Sequence, residues 1–129
     1  MELHYDNTIF EALDIRVVRL EKDQVQLTMP VGPRTVQPMG LLHGGASVVL
    51  AESAASLGAH LNIDPQTQVA VGLEINANHV RSKRDGWITA IATPYHVGKT
   101  TMIWEIRIVD EAEKLICISR CTIAIKDIS

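Results

Sequence analysis

The sequence predicts an α+β fold in which one antiparallel sheet wraps around a single long central helix. Three observations lead to this prediction. Residues 43–61 are mostly small or aliphatic with good helical character, and between Met39 and Ala59 only Glu52 is charged. Four segments with the character of strands follow this stretch, and a short hairpin precedes it. Because small side chains let a sheet approach a helix closely, we expect the sheet to curl around residues 43–61.

The chain before the long helix is predicted to hold a short helix, a hairpin and a loop. Residues 8–13 are expected to form the short helix. Residues 14–20 and 24–29 flank a polar turn, and the second segment alternates apolar with polar side chains, which predicts a β-hairpin. Residues 30–40 contain three prolines and two glycines, which predicts an irregular loop leading into the long helix.

The long helix is predicted to begin at the triplet His43-Gly44-Gly45. Glycines at a helix start let a ligand approach the free N–H groups, which carry about half a positive charge and suit an oxyanion. The alternative is that the glycine pair provides no more than a tight entry into the helix.

Glu52 stands on a face of this helix that carries no other charge. Residues three and four positions away share a helix face, and around Glu52 these are Val48, Val49, Ala55 and Ser56. We therefore expect its carboxylate to be largely buried, which is unfavourable for an ionised group and typical of functional sites. The alternative is an ordinary solvated glutamate, because glutamate is a good helix former.

The rest of the chain predicts four strands in an antiparallel meander. They cover residues 69–78, 87–96, 100–110 and 115–125, with polar turns between them. In the first of these strands, one face is expected to meet the core, and it carries Val69, Val71, Leu73, Ile75 and Ala77.

The two cysteines, Cys117 and Cys121, lie four residues apart in the last predicted strand. That spacing separates them by about 13 Å, against a limit of about 7 Å for a disulfide, so they are not expected to pair. The five histidines are scattered, and no C-x-x-C or H-E-x-x-H motif is present, so no metal site is predicted.

The length and charge of the chain limit the classes of function that are possible. A chain of 129 residues fits one domain, residues 1–129, and a domain this small gains from burying more surface in an oligomer. The net charge of −3 and the pI near 5.9 argue against general nucleic-acid binding. No apolar run of eighteen residues and no leader at Met1 are present, so we expect a cytoplasmic protein that does not bind membranes.

Two groups of residues together resemble a known family. The first is Gln37, the His43-Gly44-Gly45 triplet, and Glu52 nine residues after the histidine. The second is the run G-L-E-I-N-A-N-H-V-R-S at residues 72–82. The chain is similar in these features to the hotdog-fold acyl-CoA thioesterases, over about residues 28–124. More narrowly, it resembles the PaaI-like branch that contains the glutamate-type 4-hydroxybenzoyl-CoA thioesterase and the 1,4-dihydroxy-2-naphthoyl-CoA hydrolase of menaquinone synthesis.

The resemblance implies a role for each residue of the first group. Glu52 would attack the thioester carbonyl or activate a water as a general base, and both routes stay open. The N–H of Gly44 would stabilise the oxyanion, while Gln37 would orient the carbonyl or the water. Ser56 would hold the water or the carboxylate, and His43 would position the loop and steady the departing sulfur. No cofactor is implied, since coenzyme A is part of the substrate.

A second set of residues is predicted to bind the phosphates of coenzyme A. Arginine offers bidentate hydrogen bonds to phosphate, and lysine offers a point charge. On residue chemistry alone the basic cluster after residue 78 can equally be a solvated turn. With the resemblance, the predicted CoA-binding residues are His79, Arg81, Ser82, Lys83, Lys99 and Thr100.

Assembly and substrate complete the expectations. Gly44 and Glu52 are about 12 Å apart along one helix, too far to act easily on one thioester, so we expect a homodimer with shared sites and, from the resemblance, a tetramer. The leading substrate is 1,4-dihydroxy-2-naphthoyl-CoA, ahead of benzoyl-type or medium-chain acyl-CoA. The alternatives are a non-catalytic acyl-CoA sensor and a dehydratase. The sequence contains neither the G-x-S-x-G motif of serine hydrolases nor the G-x-x-x-x-G-K-[ST] motif of nucleotide hydrolases, so neither class is supported.

Overall fold

The computed structural model describes residues 1–128 and shows one antiparallel sheet packed against one long helix. In chain order the elements are α1 (Ile9–Leu13), β1 (Arg16–Glu21), β2 (Gln24–Pro30), α2 (Gly44–His60), β3 (Gln68–His79), β4 (Trp87–Val97), β5 (Thr101–Asp110) and β6 (Leu115–Asp127). Across the sheet the strands follow the order β1-β2-β4-β5-β6-β3, so β1 and β3 form its two edges. This is the hotdog arrangement that the resemblance implies, and the predicted order of helices and strands is confirmed.

The core lies between α2 and the face of the sheet that packs against it. In β2, β5 and the first half of β4, alternate side chains are buried in the core, which is the pattern of a half-buried strand. The helix contributes mainly small residues to the core, namely Ser47, Leu50, Ala51, Ala54, Ala55, Gly58 and Ala59.

Helix and sheet approach each other closely at Gly58, where a Cβ atom would lie 2.4 Å from Cη2 of the buried Trp104. Only a residue without a side chain fits at this point. The small residues of the helix therefore set the distance between the two layers, as the sequence predicts.

The first strand of the meander differs from its predicted pattern. The register of β3 against β6 shifts between Gly72 and Glu74, which is a β-bulge. Val69, Val71 and Leu73 are 40–59% exposed, whereas Ile75 and Ala77 pack against the core. The prediction of one continuous apolar face is wrong, because the odd-numbered side chains before the bulge and those after it lie on opposite faces of the sheet.

Both cysteines are free thiols and lie on the buried side of β6, four residues apart in the same strand. Burial is the main cause that raises the pKa of Cys121 to about 12, with smaller contributions from the charges of Glu52 and Glu74. Within residues 1–128, no helix is long and apolar enough to cross a membrane. The same residues contain no group of three or more His, Cys, Asp or Glu side chains arranged to hold a metal ion.

Candidate active site

The start of α2 leaves one backbone donor free. His43 is the N-cap residue, and its Nδ1 accepts a hydrogen bond of 2.8 Å from the N–H of Gly45. The N–H of His43 donates to Thr35, and the N–H of Ala46 donates to the carbonyl of His43. The N–H of Gly44 has no acceptor among residues 1–128. Of the orphan donors at this positive helix end, it is therefore the one open to a ligand.

The loop before α2 presents Gln37 as a hydrogen-bond donor. The side-chain oxygen of Gln37 accepts from the N–H of Met39, so its amide NH₂ is the group left for other contacts. The turn from Gln37 closes through the N–H of Gly40, which donates to the Gln37 carbonyl over 2.8 Å. Gly40 has a φ of +84°, a conformation that favours glycine. The loop is fixed to the neighbouring segment by the N–H of Leu42, which donates to the carbonyl of Lys83.

A cavity of about 340 Å³ joins this loop to the end of β3. Gln37 and Gly44 line it from one side, and His79, Arg81 and Ser82 line it from the other. A Cβ at Gly44 would lie 3.0 Å from Nε2 of His79, which shows how closely the helix start and the strand end approach. Folding thus brings together residues of the predicted catalytic and CoA-binding groups, which are about forty positions apart in the chain.

Ser47 lines the same cavity, and the sequence did not single it out. The residue is 1% exposed, and its hydroxyl has no hydrogen-bond partner within the described residues. An unsatisfied buried hydroxyl costs about 1–3 kcal/mol, so such a group calls for a functional explanation. The available signal was its position three residues after Gly44, but any small residue on the buried helix face looks alike in sequence.

Glu52 is half-buried in the single chain, so the expectation that its carboxylate is largely buried is wrong here. It makes no hydrogen bond or ion pair with any of residues 1–128. Its carboxylate lies against Gly72, where a Cβ atom would be 2.6 Å from Oε2. Glycine at position 72 leaves the space that this carboxylate occupies.

The carboxylate of Glu52 and the hydroxyl-bearing Ser56 border one groove of about 330 Å³. The groove runs along the outer side of α2 and is otherwise largely apolar, with Phe10, Val49 and Leu57 in its wall. Ser56 is exposed and one turn beyond Glu52, so both side chains face the same space, as the helix spacing predicts.

Within one chain this groove is separate from the cavity at Gly44. The two share no lining residue. Glu52 contacts β3 at Gly72, while Gly44 contacts β3 at His79, seven residues further on. Seven residues of strand span about 23 Å. A single chain therefore does not bring the predicted oxyanion donor and the predicted catalytic carboxylate to one carbonyl group.

The predicted CoA-binding residues also fall into two places. Arg81 and Ser82 are exposed beside the cavity. Lys99 and Thr100 are exposed in the turn between β4 and β5, next to Thr101, which pairs with Ala124 of β6. His79 pairs with Cys117 at the other end of β6, again about 23 Å away. The Lys99-Thr100 turn and residues Arg81-Ser82, here called the Arg81 segment, thus lie at opposite ends of the sheet of one chain.

Lys83 does not line the cavity but forms an ion pair with Glu111, with 2.6 Å between Nζ and Oε1. The pair raises the pKa of Lys83, and the same hydrogen bond is the main cause that lowers the pKa of Glu111 to about 2. Its side chain is 16% exposed. The side chain of Lys83 is therefore held by Glu111, whereas the exposed side chain of Arg81 can reach a ligand in the cavity.

Comparisons with known proteins find relatives that match most of this chain. Residues 39–117 match the family model described as the Thioesterase superfamily. The chain is 56% identical over 119 residues to the protein ComA2 of Bacillus subtilis (strain 168), covering 92% of this chain and 94% of that protein. It is 53% identical over 116 residues to the 1,4-dihydroxy-2-naphthoyl-CoA hydrolase of Listeria monocytogenes serotype 1/2a (strain 10403S), covering 90% of this chain and 94% of that enzyme. A crystal structure of a mutant thioesterase from Pseudomonas aeruginosa superposes with a TM-score of 0.93 at 44% identity, covering 96% of this chain and 89% of that one.

Proposed function

This chain belongs to the thioesterase superfamily, and on that premise we propose that it hydrolyses the thioester bond of an acyl-coenzyme A to a free acid and coenzyme A. The observation that carries the proposal is one cavity lined both by Gly44, whose N–H has no acceptor within residues 1–128, and by the exposed Arg81. The first group suits the carbonyl oxygen of a thioester, and the second suits the phosphates of the nucleotide.

The electrophilic half of the mechanism lies in this cavity. The N–H of Gly44 donates to the carbonyl oxygen and holds the negative charge that develops there, aided by the positive end of α2. Gln37 contributes its amide NH₂, because its oxygen is bound to Met39, and so orients the carbonyl or the attacking water through their oxygen atoms. Loss of one such donor typically lowers kcat by about 10²–10³.

The nucleophilic half of the mechanism lies with Glu52. As a general base it takes a proton from water, and the hydroxide attacks the carbonyl carbon. The tetrahedral intermediate collapses by breaking the C–S bond, and the proton on Glu52 passes to the leaving thiolate. Alternatively, Glu52 itself attacks the carbonyl carbon, the C–S bond breaks to release the thiolate of coenzyme A, and water then hydrolyses the resulting mixed anhydride. Ser56, in the same groove, holds the water or the carboxylate in either route.

The departing sulfur needs little acid assistance, because the thiolate of a thiol with a pKa of about 8.5 is a good leaving group. His43 can still steady it. Since Nδ1 of His43 accepts from Gly45, the neutral ring carries its hydrogen on Nε2, and that N–H is free to donate.

The functional unit in this proposal is a homodimer in which each site is shared. The edge strand β3 has an unpaired side and exposes Val69, Val71 and Leu73. A partner strand paired antiparallel to β3 would place the Gly72 end of one chain beside the His79 end of the other. Glu52 of one chain would then meet Gln37 and Gly44 of its partner. A tetramer of two such dimers stays a prediction from the resemblance.

The two-fold symmetry of this dimer would also bring together the two groups of CoA-binding residues that are far apart in one chain. It would carry the Lys99-Thr100 turn of one chain towards the Arg81 segment of its partner, although these lie at opposite ends of one sheet. We propose that Arg81, Ser82 and His79 act from one subunit, with Lys99 and Thr100 from the other.

The proposed substrate is an aromatic acyl-CoA, with 1,4-dihydroxy-2-naphthoyl-CoA of menaquinone synthesis first. Support comes from the Listeria enzyme of that name, which is 53% identical to this chain. The largely apolar groove beside Glu52 has room for a planar acyl group. We further propose that the enzyme acts in the cytoplasm.

The test is a hydrolysis screen that follows free thiol from 1,4-dihydroxy-2-naphthoyl-CoA, benzoyl-CoA and hexanoyl-CoA. We expect turnover, with the highest kcat/KM on the naphthoyl ester. A preference for hexanoyl-CoA would support the thioesterase activity but refute the proposed aromatic substrate. Tight binding of all three esters without thiol release would favour the non-catalytic sensor, and loss of water from a hydroxyacyl-CoA with the thioester intact would favour the dehydratase.

A further inference from the structure

We propose that Ser47 is a further catalytic residue, whose hydroxyl donates a hydrogen bond to the thioester carbonyl oxygen beside the N–H of Gly44. The inference rests on the proposed thioesterase function and deepens it. It assigns a second donor on the same helix to the oxyanion, in addition to the backbone donor.

The position of Ser47 on α2 directs its side chain to the helix start. It lies three residues after Gly44, and residues at this spacing share one helix face. Helical side chains lean towards the N-terminus, so the hydroxyl lies over the turn that begins at Gly44. Both residues line the same cavity, together with Gln37. The three donors thus converge on one space.

The hydroxyl of Ser47 is unusual because it is buried without a partner. Ser119 is buried to a similar degree, at 3% exposed, but it donates to the carbonyl of Asn76 over 2.7 Å. The other buried polar atom without a partner in the described chain is Nε1 of Trp104, which packs at Gly58, far along α2 from the cavity. Ser47 is therefore the unsatisfied buried group at the cavity.

A bound thioester supplies the acceptor that the hydroxyl lacks. Serine has a single χ1 rotation with three staggered positions, so its Oγ can turn into the cavity without moving the backbone. The acceptor gains negative charge as the tetrahedral intermediate forms, and the hydrogen bond strengthens at that moment. The hydroxyl then acts mainly on kcat, and its effect does not depend on the acyl group.

The experiment compares Ser47→Thr with Ser47→Val. The two replacements have nearly the same shape and differ by the hydroxyl, so they share any cost of the added methyl groups. Ser47→Ala is a smaller variant that retains the fold if the larger side chains do not fit. Each variant is assayed by thiol release on 1,4-dihydroxy-2-naphthoyl-CoA, benzoyl-CoA and hexanoyl-CoA, and its thermal midpoint is measured.

The proposal predicts that Ser47→Ala and Ser47→Val lower kcat about 10- to 100-fold on every ester that the wild type hydrolyses, with KM changed less than about twofold. Ser47→Thr should retain most of the activity that Ser47→Val loses. Ser47→Ala should not lower the thermal midpoint, because it removes an unsatisfied group. The matched control Ser119→Ala, which breaks a satisfied hydrogen bond, should lower the midpoint and leave kcat unchanged.

Equal kcat values for Ser47→Thr and Ser47→Val, or full activity of Ser47→Ala, would overturn the proposal while leaving the thioesterase function intact. An effect confined to hydroxylated acyl groups would also overturn it, because the hydroxyl would then contact the acyl substituent. A wild type that hydrolyses none of the esters would instead refute the proposed function itself.

Discussion

Replacement of Glu52 by alanine tests the proposed chemistry without disturbing the fold. The carboxylate is half-buried and makes no hydrogen bond or ion pair within residues 1–128, so its removal leaves no buried group without a partner. Alanine is also the better helix former. We therefore expect the free energy of unfolding to change by no more than about 0.5 kcal/mol.

The expected effect of Glu52→Ala on the rate is large. A positioned general base contributes about 10²–10⁴, which corresponds to about 3 to 5 kcal/mol of transition-state stabilisation at 1.36 kcal/mol per tenfold. KM should change little, because the proposed role of Glu52 is in the chemical step, while the nucleotide of the substrate is proposed to be bound by Arg81. The loss should therefore fall on kcat.

The assay for this prediction is continuous detection of free thiol with the best substrate of the screen. Glu105→Ala is the matched control, since Glu105 is a partly buried glutamate on the side of β5 that faces away from α2. It should keep wild-type kcat. A Glu52→Ala protein that is folded and within threefold of wild-type kcat would refute the role of this carboxylate.

Three further substitutions test other parts of the molecule. Gly58→Ala puts a Cβ atom 2.4 Å from a buried tryptophan ring and should lower the free energy of unfolding by about 1–3 kcal/mol in urea titrations, whereas Gly32→Ala, with nothing within 4 Å, should not. Arg81→Ala should raise KM about tenfold for CoA esters and much less for a thioester without the nucleotide, and salt should shrink the difference; equal losses on both would remove the phosphate contact. The pKa of Glu111 is lowered from 4.5 to about 2, so its ion pair with Lys83 adds stability above about pH 4.5 that is lost as the pH falls towards 2. Thermal midpoints of Glu111→Gln should therefore show a smaller decline over this range, and an unchanged decline would contradict the assignment.

The fold was predictable because its main signals are local. The helix start at His43 and the small residues up to His60 define α2, and the alternation in β2, β4 and β5 defines the strands of the core. The bulge at Leu73 was not predictable, since strand parity assumes an unbroken ladder. A bulge leaves one residue unpaired without changing the alternation of residue types in the sequence, yet beyond it the opposite set of side chains is buried.

The site was predictable in its residue types but not in its arrangement. The absence of charges around Glu52 was interpreted as burial, yet Val49 and Ser56 on the same face are partly or fully exposed in the single chain. An apolar outer face of this kind is also what an interface between subunits requires. The ion pair of Lys83 with Glu111 joins residues 28 positions apart, and only the tertiary structure brings them together.

The shared active site is tested most directly by complementation between two inactive proteins, Gln37→Ala and Glu52→Ala. They are mixed in equal amounts, unfolded and refolded together. If each site takes Gln37 from one chain and Glu52 from the other, a mixed dimer has one site with both defects and one with neither. Half of the dimers are mixed, so about a quarter of wild-type activity should return by two-fold symmetry. Either variant refolded alone should stay inactive. No recovery, with mixed dimers shown to be present and folded, would mean that each chain holds a complete site and would contradict the account.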